Sequence, residues 1–446
     1  MTRYRVIWLL FLVTVAGALS SGRSLWWSFA GALFTLIVIS VVWAWLSVNW
    51  LRLRRRTLTR AAQAGQTFEE EFILHNLSRF PKLWLEVRDY STLPGHAVSR
   101  VTGLIGAKQW RGWRARTLCR ERGRYNLGPI LVRSGDPLGI YQMERAIHRV
   151  HSILVYPATE DFREFPLPAG QLPGGDALRR RTHYVTTNAA GVRDYMNGDG
   201  INRIHWPITM KRNRLTVKEF ELDPMSDLWI LLDLHGEVHL TADTVRSDTV
   251  RSDNVRADTP AYALGRAPDV AQPFTLPPAT EEYAISMAAS IAQHFLRQER
   301  GVGLIAYSRR REALASDRGE RQYGKLMEML SVLRADGDVP FHRVLRAESP
   351  SLSRGSTIIA ISPSTDLSWT SVAQHMTRAG LRMVAIVIDA QSFGGSQSCA
   401  PVVGALTEAG ALVRIVRRGE SLASAIADAG RQQPLSGLRG HSSPAR

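Results

Sequence analysis

Cysteine is nearly absent: the 446 residues hold two, Cys119 and Cys399. There is no CxxC pair and no Cys/His cluster, which argues against a structural zinc site. Two thiols so far apart suit a reducing compartment. Acidic charge is also short, with 40 Asp and Glu against 56 Lys and Arg, a formal net charge of +16. That excess suits an anionic partner such as lipid head groups, nucleic acid or an acidic protein surface. Inner-membrane proteins also keep basic residues on the cytoplasmic side for topological reasons alone, and this is the preferred reading. No serine or cysteine stands paired with a base as a nucleophile would.

Charge is missing altogether from 25 to 48, an apolar stretch longer than the ~20 residues needed to cross a bilayer. A second apolar stretch, 6–20, precedes it. It becomes long enough to cross when Tyr4 and the stem of Arg5 are included. Ser21-Gly22-Arg23-Ser24 separates the two. A signal peptide is the rival reading, but no A-x-A-like cleavage site precedes the second stretch, and so short a gap suits a helical hairpin. Two spans, about 5–21 and 25–48, are therefore predicted. Arg3 and Arg5 precede them, Arg52, Arg54, Arg55 and Arg56 follow, and only Arg23 lies between. The positive-inside rule places both outer ends in the cytoplasm. The Arg52, Arg54, Arg55, Arg56 cluster is expected to face anionic lipid, at about 1 kcal/mol per basic residue.

The soluble body divides into three parts. Residues 57–160 read as a β-sandwich, with Phe68, Glu70, Phe72 and Leu74 on one strand face, Leu83, Leu85 and Val87 on another, and frequent Gly/Pro/Asn turns. Residues 161–226 form a connecting segment with a Pro/Gly-rich entry. Residues 227–430 alternate apolar strands with helices: strands at 228–234, 302–307, 357–361, 383–388 and 412–416, and helices at 281–298, 323–333, 371–378, 402–409 and 422–427. Buried apolar strands between helices imply a mostly parallel sheet covered on both faces. Inside this domain, Asp243-Thr-Val-Arg-Ser is repeated from Asp248 and nearly so from Asp253. With so few apolar residues, 239–279 is expected to be a disordered insertion, and 431–446 a disordered tail. The fold class is thus an α+β multidomain membrane protein.

The densest polar segment is Gly191-Val192-Arg193-Asp194-Tyr195-Met196-Asn197-Gly198-Asp199, followed by Arg203-Ile204-His205-Trp206 and by Val217-Lys218-Glu219-Phe220-Glu221. Asn197-Gly198 signals a turn. The bland reading is a salt-bridged strand-turn element that docks one domain on another. A recognition surface is the second reading, and acid/base chemistry with Asp194, Asp199 and His205 the weakest. The arginines from Arg111 to Arg124 with Trp110 and Trp113 have the composition of a nucleic-acid site, but alternation on a strand gives one basic solvated face by default.

Together with Arg122-Gly123-Arg124-Tyr125-x-Leu127-Gly128-Pro129 and Asp136-Pro137-Leu138-Gly139-Ile140-Tyr141, the segment resembles the bacterial "domain of unknown function 58" family across most of the chain. One departure is Met210-Lys211, where the family usually has a small residue and arginine. The resemblance implies a von Willebrand factor A-like C-terminal domain, a bacterial inner-membrane location and an accessory role. The implied partners are a MoxR-type AAA+ ATPase and a transglutaminase-like membrane protein. It carries over no established catalytic activity, and the residues themselves lead us to expect no nucleic-acid partner and no small-molecule substrate. A von Willebrand A domain carries Asp-x-Ser-x-Ser at the end of its first strand, a donor set suited to Mg²⁺. Here the residues are Asp233-Leu234-His235-Gly236-Glu237, so Asp233 matches while His235 and Glu237 replace the hydroxyls. The leading expectation is a membrane-tethered, non-enzymatic scaffold or adaptor. The alternatives are a divalent-metal-dependent ligand-binding module using Asp233 and a hydrolase using Asp194, Asp199 and His205.

Overall fold

The computed structural model describes residues 3–58, 62–96, 98–148, 150–168, 189–195, 204–220, 227–241 and 274–427. Most of the expected insertion, 242–273, and the expected tail lie outside them. The chain divides into two compact units. The first holds 1–160, 240–290 and 324–334; the second holds 161–239, 291–323 and 335–446.

The first unit opens with two apolar helices, α1 (Arg3–Ser21) and α2 (Ser24–Val48). Both are long and apolar enough to cross a membrane. At 1.5 Å per residue they measure roughly 28 and 37 Å. Helix α1 takes in Tyr4 and Arg5.

Ten strands follow: β1 (Leu51–Thr57), β2 (Ala62–Gln63), β3 (Thr67–Asn76), β4 (Leu85–Asp89), β5 (Arg100–Thr102), β6 (Trp110–Leu118), β7 (Gly123–Leu127), β8 (Ile130–Gly135), β9 (Gln142–His148) and β10 (His151–Tyr156). They form sheets β1-β3-β6, β5-β4-β8-β9 and β2-β10-β7. Period-two alternation gives the first two sheets one apolar face each. Leu53, Phe72, Leu74 and Trp113 of the first sheet meet Leu85, Val87, Ile130 and Val132 of the second in one core.

The sheet begins at Leu51, so the expected juxtamembrane cluster is strand β1, paired antiparallel with β3. Alternation then separates its arginines. Arg52 and Arg54 face solvent, but Arg55 turns inward, its side chain 5% exposed. Arg55 is therefore not lipid-facing. The arginines of β6 meet acids across the ladder: Arg116 pairs with Glu69 at 2.8 Å and Arg114 with Glu71 at 3.7 Å.

The second unit contains β11 (Ala189–Asp194), α3 (Trp206–Arg212), β12 (Thr216–Phe220) and β13 (Leu228–Leu232). Helix α4 (Thr280–Arg297) follows, with β14 (Val302–Tyr307), β15 (Arg311–Asp317), α5 (Glu320–Val332) and α6 (Phe341–Glu348). Then come β16 (Thr357–Ser362), α7 (Ser368–Arg378), β17 (Arg382–Ile388), α8 (Ala400–Glu408), β18 (Leu412–Val416) and α9 (Leu422–Ala427). Helices α4 and α5 contribute residues to both units. The main sheet runs β15-β14-β13-β16-β17-β18. Every pairing is parallel except that of edge strand β15 with β14. The apolar strands fall where sequence places them, whereas β15 and α6 are additions. Strand β15 alternates exposed and half-buried residues, as a solvated edge does.

Candidate functional site

Two places in the second unit collect the residues singled out from sequence. The first is the signature element. Strands β11 and β12 pair antiparallel, Gly191 opposite Glu219 and Asp194 opposite Thr216. Helix α3 lies in the connection and starts with a cap: His205 Nδ1 accepts a hydrogen bond from Ile208 N at 3.3 Å, and Pro207 occupies the first turn, where its missing N–H costs nothing. Asn213 ends the helix in the left-handed region at φ 51°. Thr209 Oγ1 then accepts from Thr216 N at 3.0 Å, tying the helix to β12.

His205 is thus a capping residue, and Asp194 meets Arg214 at 3.4 Å with both side chains mostly exposed. The described residues assemble no acid/base group around His205. Gly198, Asp199, Arg203 and Glu221 lie outside the described residues, while Arg193, Tyr195, Lys218 and Glu219 sit on or beside the hairpin backbone. Sequence did not flag the apolar face that this element exposes. Trp206 is 57% exposed, Met210 81% and Leu215 47%.

The second place is the carboxyl end of the parallel sheet. Connections from β13 and β16 leave in opposite directions, to β14 and to β17, so these adjacent strands form a topological switch point. Asp233 follows β13 and is 1% exposed. One carboxylate oxygen accepts from Ser362 Oγ at 2.5 Å and the other from His235 N at 3.1 Å. His239 Nε2 donates to the Asp233 carbonyl at 2.9 Å. Gly337 closes the loop, donating to Leu234 O at 3.0 Å and accepting from Gly236 N at 2.9 Å. A Cβ there would collide with the Tyr307 carbonyl oxygen, so only glycine fits.

Burial pushes the Asp233 carboxyl above its ordinary range, against the opposing hydrogen bond from Ser362. Both oxygens are already engaged within the protein. Among the described residues no three His, Cys, Asp or Glu side chains gather as a metal would need. Through its hydrogen bonds Asp233, at the end of β13, orders the loop that follows it.

A raised carboxyl pKa means that the ionised form costs stability as pH rises through the folded value. Asp233→Asn should accordingly be at least as stable as wild type at pH 7, since its amide can donate to Ser362 Oγ while its oxygen accepts from His235. Asp233→Ala should lose about 1–3 kcal/mol by stranding both partners. Urea unfolding of the two variants checks the order; Asn falling below Ala would refute it. The thiols of Cys119 and Cys399 are both buried and pushed up to about 11 by that burial, which leaves them protonated and unreactive.

Comparison with known proteins bears on the signature. Residues 191–252 match the family described as "Protein of unknown function DUF58". "Uncharacterized protein YeaD" of Bacillus subtilis (strain 168) is 21% identical over 240 residues, covering 53% of this chain and 50% of its own. The chain thus spans about half the length of that relative. Among solved structures, the CARDB domain of a Pyrococcus furiosus protein is similar to 24% of the chain, with 91% of that domain covered, 14% identity and a TM-score of 0.19. Proximal thread matrix protein 1 from the mussel byssus covers 46% of the chain and 47% of its own, at 8% identity and a TM-score of 0.30.

Proposed function

We propose that this chain, which carries the DUF58 signature over 191–252, is a membrane-anchored scaffold or adaptor without catalytic activity of its own. In this reading the hairpin spans the bacterial inner membrane and holds a β-sandwich and a von Willebrand A-like domain in the cytoplasm. The sheet order, with its single antiparallel edge strand, supports the second of these names. The arginines outside the two spans support the orientation.

The observation that carries the proposal is the apolar face of the signature element. A tryptophan and a methionine side by side on one short helix, both mostly exposed, suit a protein partner: tryptophan dominates interface energetics and methionine adapts to varied surfaces. The sealed Asp233 site favours this reading over metal-dependent ligand binding. The partner proposed is a MoxR-type AAA+ ATPase, with a transglutaminase-like membrane protein as a further member. That choice rests on the family resemblance.

Affinity purification from native membranes tests it. Wild type is expected to recover an AAA+ ATPase, and Trp206→Ala with Met210→Ala to reduce that recovery by about 30-fold or more, as loss of a ~2 kcal/mol hot spot would. Absence of the ATPase from the wild-type eluate, or equal recovery by the variant, would sink the proposal.

A further inference from the structure

The first unit has an end that the anchor reading leaves unused. Only Asn49 and Trp50 separate α2 from β1. Trp50 O accepts from Leu77 N at 2.8 Å, so the loop 77–84 starts at the foot of the hairpin. Lys82, buried, sends its ammonium to the Leu46 carbonyl in the last turn of α2, where a helix end favours a cation.

A second loop, 103–109, is bound to the first. Lys82 and Ile105 exchange backbone hydrogen bonds of 2.9 Å each. The buried Asn76 amide donates to Phe80 O at 2.8 Å and to Gly106 O at 2.9 Å. A third loop, 136–141, is shaped by Asp136, which accepts from Tyr141 N at 2.6 Å and Leu138 N at 3.1 Å. Tyr141 then meets the start of α1: its hydroxyl accepts from Trp8 Nε1 at 2.6 Å, and its ring stacks on Tyr4 with centroids 6.1 Å apart. All three loops are therefore fixed at the end where both helices emerge.

These loops and the adjoining start of β6 carry large apolar side chains pointing outward. Leu77, Phe80, Leu104, Trp110 and Leu138 are between 56% and 63% exposed. Arg79, Lys108 and Arg111 stand exposed among them. The opposite end is different. Strand β6 runs nine residues from Trp110, about 30 Å, and the turn beyond it presents Arg120 and Glu121.

We infer that the helix-proximal end of the first unit is a second membrane-contact surface, with these three loops seated in the head-group region of the bilayer. The inference rests on the reading that the hairpin spans that bilayer. Helix α2, at roughly 37 Å, exceeds the ~30 Å hydrocarbon core, so its last turn reaches head-group depth. Loops bonded to Leu46 and Trp50 then lie at the same depth. Indole and aliphatic groups mixed with basic residues match that layer, where the rings sit at the interface and the cations meet anionic lipid. The contact with lipid is thus made by loops from three parts of the sequence, with the inward-turned Arg55 taking no part.

Depth-dependent fluorescence quenching on the full chain tests this in bilayers of phosphatidylethanolamine and phosphatidylglycerol. Phe80→Cys, Leu138→Cys and Arg120→Cys each receive an environment-sensitive label, the buried Cys119 and Cys399 being replaced by alanine. Spin-labelled lipid should quench severalfold more at 80 and 138 than at 120. A label at Ile39→Cys, on the lipid-exposed side of α2, reports on the hairpin itself. Quenching at 39 with 80 and 138 no more quenched than 120 overturns the inference alone. No quenching at 39 overturns the spanning reading and the inference with it.

Discussion

Arg122→Ala should cost the first unit about 3–5 kcal/mol, the usual penalty for breaking a buried ion pair. The Arg122 side chain is fully buried. Its Nε donates to Leu330 O at 3.2 Å; one terminal nitrogen donates to Leu333 O at 2.8 Å and Glu281 Oε1 at 2.6 Å, and the other pairs with Glu282. Glu281 and Glu282 open helix α4, where acids are favoured; Leu330 and Leu333 lie at the end of α5, where carbonyls lack partners. One guanidinium therefore satisfies two helix ends at once. Arg334, 3.6 and 3.8 Å from the same glutamates, offsets part of the loss. Lysine, without the planar fork, should fall between arginine and alanine. Pulse proteolysis of the solubilised chain across a urea series measures this, and an alanine midpoint equal to wild type would refute it.

How far such a site can be read from sequence depends on the range of its contacts. The motif around Arg122 was visible, but its partners lie 159 or more residues away and no local pattern points to them. The parallel strands were legible because each is a continuous apolar run, and the order of the motifs placed Asp233 at a strand end. What closes the Asp233 site, Ser362, comes from a strand far along the chain. The exposed face of Trp206 and Met210 was hidden because a short apolar helix reads the same whether it is covered or bare. Arg55 was misplaced for a different reason. Four arginines in five residues after a membrane span look like a lipid-binding cluster until strand alternation is imposed, and alternation turns Arg55 inward. Glu70 was the available warning. It sits on the apolar face of β3 between Phe68 and Phe72, so a buried cation had to exist somewhere to meet it.

That pairing yields the other large effect. Arg55 grips Glu70 with two hydrogen bonds, Nε to Oε1 at 2.8 Å and a terminal nitrogen to Oε2 at 2.6 Å. His96 Nε2 lies 3.2 Å from Glu70 and 3.3 Å from Asp89, while its Nδ1 meets Thr117 Oγ1 at 2.8 Å. All four charged side chains are at most 5% exposed. Glu70→Ala would leave Arg55 and His96 buried without their main acceptor, and about 3–5 kcal/mol should be lost. The pH profile separates the partners. Burial opposes ionisation of Glu70, but hydrogen bonds from His96 and Arg55 outweigh it and hold its pKa below the ordinary 4.5. Its stabilisation is present above that value and is lost as pH falls through the folded one. Burial likewise opposes protonation of His96, but Asp89 and Glu70 outweigh it and hold its pKa above 6.5. Its stabilisation is complete below 6.5 and is lost as pH rises through the folded value. The first unit should therefore be most stable between these limits. Urea midpoints across pH should show the alkaline decline flattened in His96→Gln and the acid decline flattened in Glu70→Gln. An alkaline decline of full size in His96→Gln would remove the imidazolium from the account, because the imidazole is the side chain whose charge changes near neutral pH.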